Sequence, residues 1–86
     1  MERPKELSDD QEVALGDEAR RILESESVQR ALHSMRYQLE QSWLTAGDTI
    51  GREKAFFARW AVDTFEQQLK TMVETGEAKR SQEDQT

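Results

Sequence analysis

The titratable side chains that could do chemistry fall into three groups: the carboxylates of the first 27 residues, a single histidine at position 33, and a basic cluster of Arg52, Lys54 and Arg59. The N-terminal acids include Asp9, Asp10, Glu12, Asp17 and Glu18, and only Arg3, Lys5, Arg20 and Arg21 oppose them there. A general acid–base pair needs a closed pocket that shifts one pKa. Carboxylates strung along one short helix have no such pocket, so no catalytic residue is expected. His33 falls about 140° from the apolar stripe of its own helix, the position of a surface histidine. Cysteine is absent, which excludes thiolate metal sites and disulfides. Glu53-Lys54-Ala55-Phe56 and Glu66-Gln67-Gln68-Leu69 lack the E-x-x-H spacing of bundle metal centres. No metal and no cofactor are expected.

The charge balance bears on partners. A net charge of −6 opposes generic phosphate binding, which relies on clustered lysine and arginine. Arg20 and Arg21 stand among Asp17, Glu18 and Glu24, which would repel phosphate. Arg52, Lys54 and Arg59 form the best basic patch, and it is small. Direct nucleic-acid binding by a monomer is therefore not expected, although a ring would multiply the patch. The acidic N-terminal segment reads as a solvated face. Its sharper alternative is an arm that docks on a basic partner or imitates nucleic acid.

The elements that must position these groups are helical. Residues 1–7, with the only proline at Pro4, read as a flexible lead-in. Ser8-Asp9-Asp10-Gln11 is a capping box, in which the serine hydroxyl takes the amide three residues on and the glutamine reaches back. It predicts a short acidic helix over 11–24, with Gly16 as its candidate break, because mid-helix glycine costs about 1 kcal/mol relative to alanine. Ser25-Glu26-Ser27 punctuates. Val28, Leu32, Met35, Leu39 and Trp43 then recur at helical spacing and predict a helix over Glu26–Ala46. Gly47 is expected in the left-handed conformation after its end. Asp48 or Thr49 can cap a third helix over Ile50–Thr75, closed by Gly76. Residues 77–86 read as a disordered tail.

On the third helix Ala55, Ala58, Val62, Phe65, Leu69 and Met72 form a stripe expected to pack on the stripe of the second helix. Leu39 and Phe65 are core positions in this reading. The short turn predicts antiparallel neighbours. The fold class is thus all-α: an antiparallel helical hairpin with a short acidic N-terminal helix, in a single helical domain over residues 8–76.

The aromatics decide the functional reading. Phe56 and Trp60 project opposite the third-helix stripe and Phe57 lies on its flank, while Tyr37 and Leu44 share the back of the second helix. A helix apolar on every side must be covered on every side, by the first helix or by another subunit, and for Phe56 and Trp60 a share from each is expected. An 86-residue chain that is 35% apolar and 35% charged has a thin core, and small domains of that kind need a disulfide, a metal or a partner. Association is the remaining route. Phe56, Phe57, Trp60, Tyr37 and Leu44 are its expected interface, and a homo-oligomer is the expected state. No apolar run reaches the roughly 18 residues of a membrane span, and Met1-Glu2-Arg3-Pro4 does not open a signal peptide.

From Ala19 to Lys79 the chain resembles a diffuse group of small helical proteins encoded near assembly and packaging genes of tailed bacteriophages and prophages. The likeness rests on ARRILESESVQRAL, on Trp43, on GREKAFF and on the close LKTMVETGEAK. It covers about two thirds of the chain. The resemblance implies a non-enzymatic structural, assembly or DNA-packaging accessory, located in the host cytoplasm or the virion, with another phage or host protein as a further partner. Small terminase subunits similarly use a helical hairpin to form rings, but they place a DNA-binding helix-turn-helix before it. Here one acidic helix stands in that place. The alternative function is a small acidic inhibitor or regulator that binds a basic host protein through its N-terminal carboxylates.

Overall fold

Three helices account for nearly all of residues 6–84, the part of the chain that the computed structural model describes: α1 (Asp9–Glu24), α2 (Glu26–Thr45) and α3 (Thr49–Asp84). No strand occurs among them, so the protein is all-α. Of the expected lead-in, Glu6 and Leu7 precede α1 without regular structure, and residues 1–5 lie outside the described residues.

Local chemistry explains each start. The Ser8 hydroxyl accepts from the Gln11 N–H at 3.2 Å, and the Gln11 side chain accepts from the Ser8 N–H at 2.9 Å. Asp9, Asp10 and Glu12 then occupy the first turn, next to the positive end of the helix dipole. Extended backbone at Ser25 separates α1 from α2, and the Ser25 hydroxyl accepts from the Val28 N–H at 3.4 Å. The Gln29 amide donates to the Leu23 carbonyl at 2.8 Å, which satisfies one of the orphan acceptors at the end of α1. Asp48 caps α3, taking the Gly51 N–H at 2.8 Å.

Four expectations fail here, three of them at glycines. α1 runs unbroken through Gly16. Gly47 is not left-handed, since no described glycine has positive φ; extended backbone at Ala46 makes the turn instead. α3 does not stop at Gly76 but continues to Asp84, so residues 77–84 are helical rather than an unstructured tail. Residues 85 and 86 lie outside the described residues. Gly16 and Gly76 have a common explanation. A Cβ on Gly16 would stand 2.8 Å from the Met72 carbonyl oxygen and 3.0 Å from the Gly76 Cα. A Cβ on Gly76 would stand 3.1 Å from both the Glu12 carbonyl oxygen and the Gly16 Cα. The two glycines let α1 and α3 touch backbone to backbone, so neither is punctuation.

The fourth failure concerns the core. α3 is the spine. α1 lies across its C-terminal half, α2 lies beside its N-terminal half, and α1 scarcely touches α2. Partners ascend α2 as they descend α3: Arg36 meets Glu66 and Asp63, Leu39 lies by Val62 and Ala58, and Trp43 lies by Ala55 and Phe56. Ala19, Leu32, Ala55 and Leu69 are the buried apolar side chains. Phe65 is not among them, being 55% exposed, and Met35, Trp43 and Met72 are also exposed. Small residues and charge decide this. Ala55, Ala58 and Gly76 permit close approach, while Arg36 draws α2 toward the Asp63 and Glu66 side of α3. The inward face is therefore turned about 40° from the stripe centred on Ala58, enough to leave Phe65 and Met72 outside.

Candidate association surface

α3 begins with a run that is apolar on several sides, and the structure leaves that run open. Phe56, Phe57 and Trp60 are each more than 60% exposed. The Phe56 and Phe57 rings meet edge to face, with centroids 5.7 Å apart at 75°, a geometry the ring quadrupoles favour. Trp43 on α2 lies nearby under the Arg52 guanidinium, 5.5 Å from ring centre to Cζ. Tyr37 and Leu44 are exposed on α2, turned well away from its Leu32 contact face, and they are not brought into the Phe56–Phe57 pair. The five expected interface residues are thus all at the surface but not in one patch.

α1 covers none of the α3 aromatics. It is held at the other end of α3 by the glycine contact and by ion pairs. Lys79 reaches Asp9 at 3.3 Å and Glu12 at 3.7 Å, Arg80 donates to Asp17 at 2.6 Å, and Arg20 pairs with Glu77. The hydrogen bond from Arg80 holds the Asp17 carboxyl below its ordinary pKa, and the bond to Asp9 raises Lys79 above the ordinary lysine value. The expectation that α1 supplies part of the cover for Phe56 and Trp60 is therefore overturned. Leu7 and Leu15 of α1 instead line a shallow groove with Met72 and Thr75.

The basic residues do not converge. Arg52 is stacked on Trp43, and Arg59 pairs with Asp63 at 3.3 Å. Lys54 projects from α3 about 140–160° away from both. Asp63 also accepts from Arg36 at 2.9 Å, and Glu66 accepts from Arg36 at 3.1 Å and meets Lys70 at 3.4 Å. The hydrogen bonds from Arg36 hold both carboxyls below their ordinary values and raise Arg36 in turn. Each shifted group is accounted for by a visible ion pair across or along the helices, and none faces an enclosed cleft. Among the described residues no cluster of three histidine, aspartate or glutamate side chains could hold a metal ion, and no helix is long and apolar enough to cross a membrane.

The signal that sequence reasoning missed is the exposure of Met35, Phe65 and Met72, all counted as core. The periodicity that marked them was real; its phase was not fixed by it. No protein family, curated protein or solved structure matches the chain.

Proposed function

We infer that this chain is a non-enzymatic, self-associating helical protein built on an α2–α3 hairpin, working as a structural, assembly or DNA-packaging accessory of the tailed-phage kind. The observation that carries self-association is the exposure of Phe56, Phe57 and Trp60, with α1 docked at the far end of α3. Each aromatic left in water forgoes about 2–3 kcal/mol of burial. Adjacent exposed aromatics are the usual anchors of protein interfaces. The phage setting rests on the sequence resemblance alone. A role for the acidic segment as an inhibitor's docking arm is less well supported, because Asp9, Glu12 and Asp17 already pair with Lys79 and Arg80 of the same chain.

Light scattering tests the reading. The wild type should run above its 10.0 kDa monomer mass. Replacing Phe56 and Trp60 together by serine should lower the solution mass while helical circular dichroism persists. A wild type that stays at 10.0 kDa at every concentration rules self-association out.

A further inference from the structure

The two sides of the α2–α3 pair are chemically unlike. One side carries the charges: Arg36, Glu40, Arg59, Asp63, Glu66 and Lys70, most of them tied into the Arg36 network. The other side is uncharged only between Lys54, which shares the azimuth of Met72 on α3, and Glu12 of α1, which reaches the groove at Gln68 and Met72. On α3 it presents Phe57, Ala61, Phe65, Gln68 and Met72, and on α2 it presents Ala31, Met35, Gln38 and Ser42. Met35, Gln38 and Ser42 line an open groove with Ala58 and Val62, and the large residues beside it are exposed: Met35 41%, Phe65 55% and Met72 41%. An uncharged strip of this length is unusual in a chain that is 35% charged.

The width of the apolar arc says what kind of neighbour is missing. On α3 it runs from Ala55 and Val73 round to Phe57, about 160° of the helix circumference. A core-facing stripe is about 100° wide or somewhat more; α2 takes the half centred near Val62 and α1 takes the part round Gly76, which leaves the edge of Phe57, Ala61 and Phe65. On α2 the apolar residues likewise extend past the α3 contact toward Met35 and Ala31, on the same side. Two neighbouring helices whose surplus arcs point the same way have the pattern of helices in a four-helix bundle.

The chain as a whole is open enough for such a contact. The chain exposes 7067 Å², whereas a compact chain of its mass exposes about 5,200 Å². The surplus of roughly 1,800 Å² is within what each subunit of an obligate homodimer buries, about 1,000–2,500 Å². Charge selects the occupant. A second copy is also acidic at −6, so it approaches most closely where like charges are sparse, and the stretch between Lys54 and Glu12 is such a surface on both copies.

We propose that the Met35–Phe65–Met72 face is the dimerisation surface, where a second copy of this chain packs the same face about a two-fold axis to complete a four-helix bundle. This rests on the self-association reading and adds a second face to the one that carries Phe56 and Trp60. Phe57 lies at the edge of the contact. Phe56 and Trp60 lie on the far side of α3 and stay free for a further contact.

The test places charge in the face and probes it without disturbing the fold. Placed in the Phe56→Ser/Trp60→Ser chain, which lacks the other aromatic contact, Phe65→Asp and Met35→Glu should each return the solution mass to that of the monomer, with helical circular dichroism retained. Because the chain has no cysteine, a single one can report burial. Thiol labelling of Ala61→Cys should slow as protein concentration rises, while that of Lys70→Cys, on the opposite side of α3 and exposed, should not. If Phe65→Asp loses its helix, the labelling pair still decides. Wild-type protein that is monomeric throughout sinks both this face and self-association. An oligomeric wild type whose Phe56→Ser/Trp60→Ser chain keeps its mass when Phe65→Asp is added, or whose Ala61→Cys labels independently of concentration, sinks this face alone.

Discussion

At the scale of single residues, the glycines carry the sharpest consequences. Alanine in a helix interior gains about 1 kcal/mol over glycine from propensity alone. At Gly16 that gain is opposed by a Cβ placed 2.8 Å from the Met72 carbonyl oxygen, a backbone atom that cannot swing aside. Overpacking of this kind costs about 1–3 kcal/mol, so Gly16→Ala should destabilise in urea unfolding. Gly76→Ala should do so less, since its nearest contacts are 3.1 Å away. Gly47→Ala should be neutral or stabilising by about 0.4–1 kcal/mol, because nothing lies within 4 Å of its Cβ and its φ is not positive. A stabilised Gly16→Ala would mean that α1 does not touch α3 there. These glycines also mark where sequence reading stops. The Ser8–Gln11 box and the Asp48 cap were legible because each is made by residues three apart. Whether a glycine ends a helix or admits a second one depends on residues 60 positions away.

At the scale of helices, the α2–α3 contact is governed as much by Arg36 as by apolar packing. Arg36 and Glu66 have side chains only 24% and 15% exposed, so their hydrogen bond is better shielded than the surrounding ion pairs. Arg36→Ala should cost about 1–2 kcal/mol, the range for bonds to charged groups discounted for partial exposure. Asp63 and Glu66 titrate below their ordinary values in the folded chain because of Arg36. Their contribution is therefore complete above the ordinary carboxylate pKa of about 4 and is lost as the pH falls through the lower folded values. Thermal unfolding followed from pH 6 down to pH 2 should show this decline, and the Arg36→Ala variant should show a shallower one. The opposite sign holds at Lys79, whose raised pKa gives a contribution complete below about pH 10 and lost above it. The same network explains the misphased core. Three helices and two turns were readable from periodicity and caps. The rotation of α3 was not, because a stripe of Ala55, Ala58 and Val62 fits the sequence pattern as well with Phe65 inside as with Glu66 beside Arg36.

At the scale of the molecule, the chain is open rather than compact. Its radius of gyration is 17.2 Å, with extents of 59 × 34 × 16 Å, whereas a compact chain of this length has a radius near 12 Å. No large side chain among the described residues is fully buried. A core of Ala19, Leu32, Ala55 and Leu69 is small against the conformational entropy of ordering three helices. If a second copy completes the core, folding and association are one equilibrium and stability depends on protomer concentration. For a dimer, each tenfold rise in concentration adds about 1.4 kcal/mol. Spread over the combined length of two chains, that raises the unfolding midpoint by about 3–5 °C. Circular dichroism melts of wild type across two decades of concentration should show this drift, and melts of Phe65→Asp should show a smaller one. Phe65→Ala sharpens the contrast. Half-exposed as it is in the single chain, the side chain should contribute under about 1 kcal/mol there, but about 3–5 kcal/mol if the second copy buries it. A concentration-independent midpoint together with a negligible Phe65→Ala effect would describe three helices that stand alone, and the assembly role would lose its physical basis.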